Sequence, residues 1–199
     1  MLKGSPDSSE SVEREASLNV ATMTRVALMA AVTAVAAQIA IPLPFSPVPF
    51  TLQVPAVVLS GLLLGPRYGA LAQAIYVLVG AVGVPVFAGF KGGLGIIFGP
   101  TGGYLLSYPL AAAVAGLAAY AVARSTRRRA LTLSFLLGVA ALAVIYAIGA
   151  VWLSVVTHLP LAVAVTQGVL PFVVFDLVKV VLAALVAVAA APVIAASRT

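Results

Sequence analysis

One acid and one base stand inside a long apolar run near the carboxyl end of the chain, and this placement constrains the fold more than any other feature. From Phe172 to Ala191 every residue is apolar except Asp176 and Lys179, and a run of that length crosses the hydrocarbon core of a bilayer as a helix. The two charges are three residues apart, so they share one helix face. Each costs roughly 2.5–3.5 kcal/mol at the centre of a membrane helix, or about 5–7 kcal/mol for both if unpaired. Facing protein, water or a polar ligand offsets that cost. The pair is therefore either an internal lock on helix packing or part of a site for a polar solute.

Composition agrees with a membrane protein. Of the 199 residues 63% are hydrophobic and 8% charged, with a mean hydropathy of +1.19, which excludes a soluble globule. There is no cysteine, so disulfides and thiolate metal sites are excluded. The net charge of +6 does not mark a nucleic-acid binder, because the basic residues sit in short segments between apolar runs, as topology signals do.

Residues 1–21 form a polar tail carrying Asp7, Glu10, Glu13 and Glu15. They lack the basic and short apolar regions of a cleaved signal peptide, so the first span is expected to direct insertion. Residues 22–199 are expected to form one membrane domain. The first span, Thr22–Ile41, contains Ala27/Ala31 and Ala30/Ala34, small residues four apart that permit close helix approach. Either pair serves internal packing or docks another subunit. Four prolines follow in eight residues, Pro42 to Pro49, which favours extended backbone.

The runs Thr51–Leu64 and Ala70–Val84 read as two short spans joined by a turn at Gly65–Gly69, because a re-entrant hairpin strands Arg67 at mid-membrane depth. Gln53, Gln73 and Tyr76 are polar groups on these spans that need internal partners. Residues 85–103 are rich in glycine yet too apolar for a solvated linker, and are expected to fold onto or into the domain. No phosphate-binding glycine motif occurs there. Further spans are expected at Tyr104–Ala123, at about Ala130–Thr157 and from about Pro171. His158, with Pro160, marks a turn, and it has no companions with which to bind a metal.

These assignments give an all-α membrane protein of six transmembrane helices with both termini cytoplasmic. Nine of the eleven basic residues then fall on the cytoplasmic side, the exceptions being Lys91 and Lys179, as the positive-inside rule requires. The proline-rich segment, the glycine-rich loop and the start of the last span converge on the outer half. Asp176, Lys179 and Lys91 are thus expected around a pocket open outward, with Gln53 and Tyr76 among its polar groups.

The segments PVPFTLQ (47–53), GLLLGPRYGA (61–70), GVPVFAG (83–89), GGLG (92–95), FGPTGGY (98–104) and PFVVFDLVK (171–179) resemble the BioY family, the biotin-specific capture subunits of energy-coupling factor transporters. The resemblance covers about Arg25 to Ala191. It implies a six-helix protein of the cell membrane that takes biotin from outside. The energising partners it implies are a transmembrane coupling subunit and cytoplasmic ATPases, and it implies no cofactor, biotin being the transported ligand. It assigns Asp176 and Lys179 to the biotin site, Lys91 to a basic loop contact, and Ala27/Ala31 or Ala30/Ala34 to docking on the coupling subunit. Phe175 departs from the family pattern, in which a small residue precedes the acid.

The ligand chemistry agrees. Biotin carries a ureido ring, an apolar body and a carboxylate; Asp176 can accept from ureido N–H groups, while Lys179 or Lys91 can meet a carbonyl or carboxylate. The competing classes are a capture subunit for another vitamin, a self-sufficient carrier, and a membrane-embedded enzyme. The enzyme reading lacks a nucleophile constellation beside Asp176 and Lys179.

Overall fold

The structure is a computed structural model that describes residues 8–196. Helix α1 runs from Ser8 to Gln38, so the segment expected as a polar tail is helical from Ser8 onward, and residues 1–7 lie outside the described range. Strands β1 (Ala40–Leu43) and β2 (Ser46–Thr51) follow, then α2 (Gln53–Ala81), α3 (Leu94–Ile97), α4 (Gly102–Gly116), α5 (Ala119–Arg124), α6 (Arg127–Thr157), α7 (Leu161–Gly168) and α8 (Val173–Ala196). Five helical stretches are long and apolar enough to cross a membrane: Val20–Gln38, Gln53–Ala81, Gly102–Arg124, Arg127–Thr157 and Val173–Ala191.

The expected all-α fold needs one correction. The proline-rich segment forms an antiparallel hairpin in which Ala40 pairs with Thr51, Ile41 with Phe50 and Leu43 with Ser46. The register breaks between Ile41 and Leu43, where Pro42 has no N–H to give the ladder. A two-stranded ribbon tolerates the other prolines because each strand has a free edge.

α2 is a hairpin of two helical arms. Gly65 leaves the helix at φ 82°, ψ 177°, a conformation open to glycine, and Pro66 starts the second arm with a preset φ. Side-chain contacts show the reversal. Gln73 Nε2 donates to Ser60 Oγ at 2.7 Å and Gln53 Nε2 to Tyr76 Oη at 2.8 Å. On an unbroken helix those pairs stand about 20 and 35 Å apart. A Cβ on Gly69 comes within 2.8 Å of the Gly61 Cα, and one on Gly61 runs into the Ala112 carbonyl. The arms therefore touch each other and α4 backbone to backbone, which only small residues allow.

α4 sits at the centre, packed between α2 and α6 through buried Ala111, Ala112 and Ala115. α1 lies on α2, and α8 closes the bundle against α2 and α6. Thr33 and Ser60 each donate to a carbonyl of their own helix and so are free to accept from Gln73 Nε2, which satisfies both donors of that buried amide, while its Oε1 has no hydrogen-bond partner among the described residues. The span expected at Tyr104–Ala123 bends after Gly116 into α4 and α5, and α7 was not foreseen; it follows the turn at His158, which is left-handed at φ 56°.

The glycine-rich loop is folded into the domain. Gln38 donates to the carbonyls of Val86 and Phe87 and accepts from the Phe90 N–H. Phe87 is buried against Tyr76, edge to face with centroids 5.7 Å apart, in the space that Gly80 leaves by lacking a Cβ.

Candidate functional site

At one end of the bundle β2, the 85–103 loop, α4, α6 and α8 enclose a cavity of about 240 Å³. Its walls are mixed in character. Aromatic and aliphatic groups such as Phe87, Tyr104, Tyr108, Ile145 and Phe172 supply the apolar lining, and the charge comes from α8 and the loop. Asp176 lies in the first turn of α8, where the helix dipole favours an acid.

Asp176 and Lys179 are buried, 4% and 7% exposed, and form an ion pair of 2.7 Å. They are matched in detail. Asp176 Oδ1 accepts from Lys179 Nζ, and Oδ2 accepts from Tyr146 Oη at 2.7 Å. The ammonium also donates to the Thr51 carbonyl at 2.7 Å and lies 3.6 Å from the centroid of the Phe50 ring. Each carboxylate oxygen keeps acceptor capacity beyond the bond it makes, and both charged residues line the cavity. The carboxylate can therefore receive further N–H donors from a solute.

The other expected residues divide. Gln53 and Lys91 also line the cavity. Lys91 is exposed and has no ion-pair partner among the described residues. Tyr76 does not reach the cavity; it stands behind Gln53, holding that amide and donating to the Val86 carbonyl at 3.1 Å. Thr51 Oγ1 donates to the Gln53 carbonyl oxygen at 3.1 Å, so the Gln53 head is held from two sides. Phe175 turns outward, 58% exposed, with its edge on Phe50, and leaves the cavity shape untouched.

The alanines of α1 also divide. Ala30 is buried in the core and Ala34 packs against it, whereas Ala27 and Ala31 face outward. Sequence reasoning missed Tyr146 and Phe50. A tyrosine hydroxyl inside an otherwise apolar span needs a partner, and that signal was available for Tyr146. Phe50 gave none.

Fold and site together define a polytopic membrane protein with a buried ion pair on a solute-sized cavity. The profile of the BioY family matches residues 10–196, and the chain belongs to that family. It is 46% identical over 165 residues to a Thermotoga maritima protein named biotin transporter BioY, covering 83% of this chain and 92% of that one. It is also 46% identical over 162 residues to a probable biotin transporter BioY of Pyrococcus horikoshii, covering 81% and 91%. Among solved structures, the S-component for biotin from an ECF-type ABC transporter superposes with a TM-score of 0.76 at 27% identity, covering 86% of this chain and 91% of that one.

Proposed function

We propose that this chain captures biotin from the outer side of the cell membrane as the substrate-specific subunit of an ECF-type transporter. The observation that carries the reading is the buried Asp176–Lys179 pair, capped by Tyr146, on a cavity whose remaining walls are largely apolar. That combination suits a solute with hydrogen-bonding ends and an apolar body, and two relatives at 46% identity carry the name of biotin transporter. In this reading the ureido N–H groups donate to Asp176. The ligand carboxylate goes to Lys91, because two of the three Lys179 donors are already engaged by Asp176 and Thr51 and its charge is paired with Asp176.

Counting both arms of α2 as crossings gives six spans. The arginines at 67, 124 and 127–129 then lie together on the cytoplasmic side with both termini, in keeping with the positive-inside rule. Contact between the α2 turn and the junction of α4 and α5, where Gly116 meets Pro66, supports the grouping. Transport is energised by separate subunits, a transmembrane coupling protein and cytoplasmic ATPases, with outward-facing Ala27 and Ala31 as the docking pair on α1.

Calorimetry of the purified chain against biotin, thiamine, riboflavin and folate tests the ligand. Tight binding of biotin alone is expected. Absence of biotin binding, or equal affinity for another vitamin, overturns the assignment.

A further inference from the structure

Lys179 makes three contacts, and two of them come from one strand. One proton goes to Asp176 Oδ1, another to the Thr51 carbonyl, and the Phe50 ring lies 3.6 Å from Nζ, well inside cation–π range. Thr51 and Phe50 are consecutive residues of β2, while Asp176 and Lys179 belong to α8. The ammonium thus fastens the hairpin to the helix that carries the candidate site.

Phe50 does this without lining the cavity. Pro49 and Thr51 line the cavity, and Phe50 between them does not. Its ring is held in place by Phe172, stacked with centroids 6.4 Å apart, and by Phe175, met edge-on at 5.5 Å. Apart from β1 and this joint, β2 leans chiefly on α7 and α1. Pro47, Val48, Pro49 and Thr51 are cavity wall, so the joint decides how firmly that wall stays shut.

We infer that Phe50 is a positioning residue for ligand retention: its ring and the Thr51 carbonyl hold the Lys179 ammonium between β2 and α8, and the solute leaves when this joint parts. The inference rests on the biotin-capture reading for the identity of the solute, and on geometry alone for the joint. A weaker ring–ammonium contact loosens the hairpin and speeds release.

Fluorinated phenylalanines at position 50 test this, because they keep the ring's shape while draining the negative charge from its face. The full chain in lipid nanodiscs, carrying 4-fluoro-, 3,5-difluoro- or 3,4,5-trifluorophenylalanine, is loaded with labelled biotin and chased with unlabelled biotin. The dissociation rate is expected to rise with each fluorine, reaching about tenfold for the trifluoro ring, with Phe50→Tyr close to the parent. A second readout needs no ligand. The chain has no cysteine, so a spin label on Phe45→Cys, at the exposed tip of the hairpin, reports hairpin motion directly, and its mobility is expected to increase along the same series. A dissociation rate and label mobility that stay flat across the series overturn the inference. If the parent chain fails to bind biotin, the capture reading falls, and the spin-label series alone decides the joint.

Discussion

Neutralising the ion pair one side at a time and then together separates a ligand site from a packing lock. Asp176→Asn leaves the Lys179 ammonium, 7% exposed, without its counter-ion. Breaking one side of a buried pair costs about 3–5 kcal/mol of stability. The lower end applies here, because the ammonium keeps the Thr51 carbonyl and the Phe50 face and the pair opens on a cavity. At roughly 2–4 °C per kcal/mol for a chain of this size, the melting temperature falls by about 6–12 °C. Adding Lys179→Met removes the orphaned charge, and stability recovers except for about 1–2 kcal/mol from the unpartnered Thr51 carbonyl. Affinity behaves differently. Loss of a desolvated charge that meets the ligand costs about 2–5 kcal/mol, or roughly thirty- to several-thousand-fold in Kd, and the second substitution does not restore it. Calorimetric Kd for biotin and thermal unfolding in detergent, on both single variants and the double, read out the two quantities. A double variant that is stable and binds biotin within a few-fold of the parent refutes the placement of the site on α8.

Tyr146→Phe deletes one hydrogen bond to a carboxylate, worth about 1.5–3 kcal/mol. Biotin affinity is expected to fall about ten- to a hundredfold, and an unchanged Kd shows that the hydroxyl only fills space. Ala31→Trp is expected to leave biotin binding within about twofold and to stop ATP-driven uptake by the assembled transporter, whereas Ala30→Trp, aimed into the core, lowers the melting temperature. Loss of binding in Ala31→Trp with assembly intact counts against a docking face. Gly61→Ala drives a methyl group into the Ala112 carbonyl, and overpacking of that kind costs about 1–3 kcal/mol; a melting temperature equal to the parent's contradicts the close crossing of α2 and α4.

The residue pattern alone determined the class of the protein and most of its helices. Apolar runs of membrane length, basic residues gathered mostly in the breaks between them, and the Gly65–Pro66 break in α2 are local signals, and local physics reads them: the cost of charge in hydrocarbon, and the special φ of glycine and proline. The Asp176–Lys179 pair was legible for the same reason, since two charges in an apolar run demand a partner wherever the helix goes. The hairpin of prolines was legible only as extended backbone, because the pairing of Ile41 with Phe50 is a relation between two segments.

Tertiary structure alone decided who meets whom. Nothing near Tyr146 in sequence points to Asp176, thirty residues away, and nothing near Phe50 points to a lysine 129 positions on. Tyr76 and Gln53 were both recognised as needing partners, but only the folding back of α2 made them partners of each other and left Gln53 alone on the cavity. The α1 alanines share one spacing, yet the rotation of the helix against α2 buried Ala30 and turned Ala27 and Ala31 outward. In each case a sequence period or a buried polar group states a requirement, and long-range packing selects the atom that meets it.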